Sequence, residues 1–191
     1  MQSQHNFRVL PRCVLGALVL LLALAVGTAI ANAASVEIIP AVGLTKSVDG
    51  DETKGFGSLA LRAHLAPLFA TEVGVGYRQE DRDAGMLKVR TWPVTASLWL
   101  TPGNVFYAGG GVGWYNMSFD YDDQLVPPLE SHTEQEFGVH LGGGVRIPFS
   151  SKAALDLHGR YVMMRQMEDK LVPEKFDPDF WTMTAGLAFR F

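Results

Sequence analysis

The sequence predicts an all-β protein: an eight-stranded antiparallel up-and-down barrel preceded by a cleavable leader. Three observations predict it. Beyond residue 33, apolar residues recur at every second position, which is the period of a strand. The segments with that period are joined by connections that are alternately short and long. The last segment ends on a terminal aromatic, Phe191, with no residue after it.

Residues 1–33 read as a signal peptide. Arg8 and Arg12 give a positive start, Val14 to Val26 an apolar core, and Ala31-Asn32-Ala33 a small-x-small cleavage site. The predicted mature chain, 34–191, is one domain. Cys13, the only cysteine, falls in the leader, so the mature chain has no thiol for a disulfide, a metal or catalysis. Its 14 basic and 20 acidic residues give a net charge of −6, which argues against a nucleic-acid partner. After the leader no apolar run approaches the ~20 residues of a membrane helix. Any membrane role must therefore use strands.

The strands follow in order. The first carries Val36, Ile38, Pro40, Val42 and Leu44 on one face. The second carries Leu59, Leu61, Ala63 and Leu65, with Ser58, Ala60, Arg62 and His64 opposite. The third sets Val73, Val75 and Tyr77 against Glu72, Gly74, Gly76 and Arg78. The fourth, Leu87 to Leu100, changes phase near Trp92-Pro93. Val94, Ala96, Leu98 and Leu100 share a face, but Lys88 and Arg90 fall on that face too, which predicts a proline-marked bulge. The fifth, Phe106 to Tyr121, is glycine-rich, and Phe106, Ala108, Val112 and Trp114 are assigned outward. The sixth sets Phe137, Val139, Leu141, Val145 and Ile147 against Glu136, Gly138, His140 and Arg146. The seventh sets Leu155, Leu157, Tyr161 and Met163 against Asp156, His158 and Arg160. The eighth carries Trp181, Met183, Ala185, Leu187, Phe189 and Phe191 against Thr182, Thr184, Gly186, Ala188 and Arg190.

Pro67-Leu68, Thr101 to Asn104 and Pro148 to Ser151 are short turns. Ser47 to Lys54, Asp81 to Gly85, Asp120 to His132 and Gln166 to Asp179 are more polar and mostly longer. Tight turns on one rim and long loops on the other are the pattern of outer-membrane barrels. Four hairpins in that order put both mature termini on the short-turn, periplasmic side. The segment Tyr121 to Ser131, with Pro127-Pro128, is predicted to be a mobile external loop. Period alone does not tell inside from outside. The signal peptide, the absence of cysteine and the aromatic terminus favour apolar residues facing lipid and polar residues facing the lumen.

Several segments carry a family resemblance. The terminal Phe191 with alternating apolar residues before it resembles the C-terminal signature of bacterial outer-membrane barrels. Tyr107-Ala108-Gly109-Gly110-Gly111-Val112-Gly113-Trp114, Phe137-Gly138-Val139-His140-Leu141-Gly142-Gly143-Gly144-Val145 and Leu157-His158-Gly159-Arg160-Tyr161 look like the fifth to seventh strands of the small barrels related to OmpA and OmpX. The resemblance covers roughly residues 36–191. It implies the eight-stranded transmembrane fold in the outer membrane of a Gram-negative-type bacterium. It also implies recognition of Phe189 and Phe191 by the barrel assembly machinery. No periplasmic cell-wall-binding domain follows Phe191, so that role of full-length OmpA is not carried over.

An eight-stranded lumen is just filled by side chains. Glu37, Arg62, Glu72, Arg78, Glu136, His140, Asp156, His158 and Arg160 are therefore expected to pair inside as a polar network. The glycine runs lie inside strands and do not open a helix, so they predict no phosphate-binding loop. His64, His140 and His158 share the inner face, but metal ligands must converge at one depth, and no metal or cofactor is expected. Acyl hydrolysis needs a serine beside a histidine oriented by an acid; His158 is followed by Gly159 and no His-x-Ser segment occurs. The expectation is a monomeric, non-enzymatic barrel for envelope integrity or surface interaction through its loops, with outer-membrane lipid and lipopolysaccharide as partners. Binding or passage of a small, even apolar, solute comes second. Hydrolysis of lipid A acyl chains comes third. Asp49, Asp51, Glu52, Asp120, Asp122 and Asp123 are candidates for divalent cations that bridge lipopolysaccharide.

Overall fold

The computed structural model describes residues 35–48, 50, 52–82, 87–121, 132–164, 167–168, 175–176 and 178–191. The predicted leader and nearly all of the predicted 121–131 loop lie outside them. The strands are β1 (Ser35–Ser47), β2 (Lys54–Ala66), β3 (Phe69–Arg82), β4 (Leu87–Leu100), β5 (Phe106–Tyr121), β6 (His132–Pro148), β7 (Ala153–Met164), β8 (Met167–Glu168), β9 (Lys175–Phe176) and β10 (Phe180–Arg190). Eight of them close in the order β1-β10-β7-β6-β5-β4-β3-β2, every neighbour antiparallel. The pair β8–β9 is a separate small ladder between β7 and β10, which the sequence did not predict.

Closure is made by β1 and β10, from Glu37 opposite Arg190 to Ser47 opposite Phe180. The Phe191 amide adds a bond to the Val36 carbonyl at 2.9 Å. A closed sheet has no edge, so no strand leaves a row of backbone groups unpaired. Ser35, Phe191 and the three tight turns share one rim. In the β4–β5 turn Gly103 has φ of +69°, a left-handed conformation that glycine adopts without strain.

The outer wall is apolar through the middle of the barrel. Val42 is 72% exposed, Leu141 62% and Met183 63%. Two aromatic belts bound this band. Tyr77, Trp92, Trp114, Tyr161 and Trp181 stand on the side of the longer connections, with the Tyr77 ring against Trp92 and Tyr161 opposite Trp181. Phe69, Phe106, Phe189 and Phe191 stand near the short-turn rim. The belts are eight residues apart in β3 (Phe69 to Tyr77), β5 (Phe106 to Trp114) and β10 (Trp181 to Phe189). At ~3.4 Å per residue and a strand tilt of ~40°, that is roughly 20 Å of height, close to the ~25 Å apolar band of membrane barrels.

Beyond the Trp/Tyr belt the wall reverses its polarity while keeping its period. On β4, Lys88 and Arg90 point outward and Val89 and Thr91 inward. On β5, Asn116, Ser118 and Asp120 point outward and Tyr115, Met117 and Phe119 inward. The inward set joins Val162 and Phe180 in a buried apolar core. Outside this collar Arg90 pairs with Asp120, Nη2 to Oδ2 at 2.5 Å, and Gln135 donates to Asn116 at 2.7 Å.

This corrects the predicted bulge at Trp92-Pro93. β4 pairs with β5 in one unshifted register from Leu87 to Leu100, and with β3 in one register on both sides of Pro93. The phase change is a reversal of the wall: apolar side chains point outward below Trp92 and inward above it. An irregular register occurs elsewhere, between His64 and Ala66 beside the β2–β3 turn.

Candidate functional site

The lumen holds the charged side chains in two clusters, with a smaller polar group higher up. Near the short-turn rim β1 presents Glu37, fully buried. Its Oε1 accepts from Arg146 of β6 at 2.5 Å and from Arg190 of β10 at 3.0 Å. His64 of β2 reaches its Oε2 at 3.3 Å. Three strands that are distant in sequence therefore meet at one carboxylate, because alternation on a closed wall sends their side chains to a common centre.

The second cluster lies deeper. Arg62 of β2 holds Glu72 of β3 through Nε at 2.9 Å and Nη2 at 2.7 Å. Its Nη1 donates to Asp156 of β7 at 2.9 Å. Arg160 of β7 takes the other Glu72 oxygen at 3.1 Å and Thr95 at 3.2 Å. Two arginines thus face two carboxylates, and the charges balance. The fork of Arg62 on one carboxylate oxygen and its reach to a second acid use donors that lysine lacks. Its guanidinium also lies over the Tyr107 ring at 4.3 Å.

Aromatic and histidine side chains fill the space beside this cluster. Trp99 packs edge-on against Tyr107 and His158, with ring centroids 5.5 and 5.2 Å away. The Tyr107 hydroxyl donates to Asp156 at 2.6 Å and lies 2.9 Å from Nδ1 of His158. Gly144 makes room for that hydroxyl: a Cβ there would stand 2.5 Å from it. Higher up, Ser47 and Arg78 both bond Glu80, Ser47 at 2.6 Å. The Arg78 guanidinium sits over Phe180 at 4.2 Å. Glu136 is half-buried on the inner face of β6.

The structure brings together one pair that the sequence did not suggest. Ser97 of β4 and His140 of β6 are both buried, with Oγ and Nε2 2.8 Å apart. They are 43 residues apart, and strand β5 lies between their strands, so no local motif could announce them. The pair lacks the acid that would orient the imidazole: Nδ1 of His140 has no hydrogen-bond partner among the described residues. It also faces the packed lumen, away from lipid. Among the described residues no three His, Cys, Asp or Glu come together as metal ligands.

The sequence matches the family model of the outer membrane protein beta-barrel domain over residues 16–191. No curated protein matches it. Solved structures share its fold. Neisserial surface protein A is 15% identical, with 82% of this chain and 96% of that chain covered and a TM-score of 0.61. A major outer membrane protein from Thermus thermophilus is 16% identical, with 83% and 100% covered and a TM-score of 0.57. Ail, the attachment invasion locus protein of Yersinia pestis, solved with the heparin analogue sucrose octasulfate, is 16% identical, with 82% and 97% covered and a TM-score of 0.52.

Proposed function

The chain belongs to the outer membrane protein β-barrel domain family and lies in the outer membrane, and on that premise we propose that it is a closed, non-enzymatic surface barrel. It serves envelope integrity or surface interaction through its longer loops. Residues 1–33 direct its export, both mature termini are periplasmic, and the collar above the Trp/Tyr belt stands outside the cell among lipopolysaccharide headgroups. The assembly machinery recognises its C-terminal strand, and the folded protein is a monomer.

The observation that carries this reading is a lumen filled at two levels. The ion clusters occupy the short-turn half, and the core of Val89, Tyr115, Met117, Phe119, Val162 and Phe180, with the paired Ser47, Arg78 and Glu80 beside it, occupies the other. A conducting pore needs a continuous wet path, and an apolar core of that kind excludes water. The chemistry of the loop side bears on the partner. Asp49, Asp51, Glu52, Asp120, Asp122 and Asp123 make it acidic, and the mature net charge is negative. Ail was solved with a polysulfated heparin analogue; an acidic surface repels such a ligand, so a cationic partner or a divalent cation shared with lipopolysaccharide suits this chain better.

The test is twofold. Purified protein in a planar bilayer should give no steady unit conductance. Protease added to intact cells should cut within 121–131 and leave the barrel whole. A steady single-channel current would favour solute passage, and cleavage only after the outer membrane is opened would reverse the topology.

A further inference from the structure

Between the deep ion cluster and the apolar core the lumen keeps a chamber of about 60 Å³. One wall is carved by small inward residues, Ser58 and Ala60 of β2 and Gly74 and Gly76 of β3. Thr95 of β4 stands beside Gly74, the other side carries Tyr115, His158 and Arg160, and Val162 and Phe180 roof the space. Three buried polar atoms on those residues have no hydrogen-bond partner among the described residues: the Tyr115 hydroxyl, Nε2 of His158 and Nε of Arg160. An unsatisfied buried polar group is costly, so native structures seldom leave several beside an empty space.

The hydrogen bonds fix what these atoms offer. The Tyr107 hydroxyl has one proton and gives it to Asp156, an acceptor only. The 2.9 Å bond to His158 must then run from Nδ1–H to the Tyr107 oxygen. In the neutral ring that leaves Nε2 as an acceptor. Of the three unpartnered atoms, Arg160 Nε–H donates, His158 Nε2 accepts and the Tyr115 hydroxyl can do either. The nearby charges cancel, Arg62 and Arg160 against Glu72 and Asp156, so the chamber gives a charged solute no counter-charge.

We propose that this chamber is a binding site for a small uncharged molecule with a hydroxyl head and a short apolar body. At ~10–15 Å³ per water-sized atom, it holds about four to six heavy atoms. Waters can bond one another, but walls that include Ile39, Phe56, Ala60, Pro93, Val162 and Phe180 give such a cluster few anchors. Three free polar atoms satisfy one hydroxyl head and leave the rest of the space to the apolar walls. The proposal does not depend on which rim faces the cell exterior.

The probe is 1-butanol, titrated into the folded barrel in nanodiscs of deuterated lipid and followed by amide NMR. Saturable shifts at Gly74, Gly76 and Thr95, with cross-relaxation from the butanol methyl to the Gly74 and Gly76 amides, are expected. A Cβ at Gly74 meets Thr95 and Ala60 only at 3.4 and 3.5 Å, so Gly74→Val fits the wall and places its methyls in the chamber. It should fold, by heat-dependent mobility, and lose the saturable shifts. Tyr115→Phe should raise the dissociation constant about tenfold, the share of one hydrogen bond. If Gly74→Val fails to fold, Tyr115→Phe alone decides. Cross-relaxation from water only, or butanol shifts unchanged in both variants, would overturn the proposal.

Discussion

Tyr77 of β3 and Trp92 of β4 pack against each other on the outer wall, ring centroids 4.5 Å apart. They cover the place where the β3–β4 ladder skips a rung: Val75 pairs with Val94 and Arg78 with Thr91, but Pro93 has no N–H to give between them. The aromatic pair holds a seam that the backbone alone leaves weak. Double-mutant cycles with Tyr77→Ala and Trp92→Ala should show a coupling of about 0.5–1.5 kcal/mol, read from urea unfolding in micelles. Additive losses would mean that the rings do not act together.

The deep ion cluster should be sensitive to removal of one partner. Arg62→Ala strips Glu72 of a two-point contact and Asp156 of its guanidinium. Breaking a buried pair costs about 3–5 kcal/mol, so the unfolding midpoint should fall sharply. Arg90→Ala breaks an exposed pair on the collar and should leave the unfolding midpoint almost unchanged. Equal effects would place the two pairs in the same surroundings.

Depth should decide the cost of a charge on the outer wall. Ala96 lies midway between Trp92 and Leu100 on β4. Ala96→Arg should cost about 2–4 kcal/mol, the range for the middle of a bilayer, while native Lys88 and Arg90 sit on the same face at no such cost. A neutral Ala96→Arg, measured by equilibrium unfolding in lipid vesicles, would remove lipid from that position.

Phe191 should matter for assembly. Its amide closes β10 onto Val36 and its side chain is exposed at the rim. Deleting it, or changing it to Asp, should lower the amount of heat-modifiable barrel in the outer membrane and leave unfolded chain in the periplasm. Arg190→Ala, which loses one of three partners of Glu37, should hurt less. Normal levels of the truncated chain would remove the recognition role.

The barrel was legible because alternation survives in every strand, glycine-rich β5 included, where Phe106 and Trp114 lie outward as their positions predict. The break at Lys88 and Arg90 was legible as a signal but not in its cause. Period two reports which residues share a face; it does not report what medium that face meets. The apolar interior of the collar was hidden for the same reason, since Met117 and Phe119 read equally well as lipid-facing. The Ser97–His140 contact and the Tyr107–Asp156–His158 bonds arise from closure of the wall, which no local spacing encodes.

A change of medium from lipid to water at the Trp/Tyr belt is measured most directly by spin-label accessibility. The predicted mature chain has no cysteine, so single substitutions can be labelled cleanly in lipid vesicles. Labels at Val75, Ala96, Leu98 and Met183 should relax with oxygen, and labels at Lys88, Arg90, Ser118 and Gln135 with a water-soluble nickel complex. Leu98 or Met183 relaxed by nickel, or Arg90 and Ser118 relaxed by oxygen alone, would contradict it.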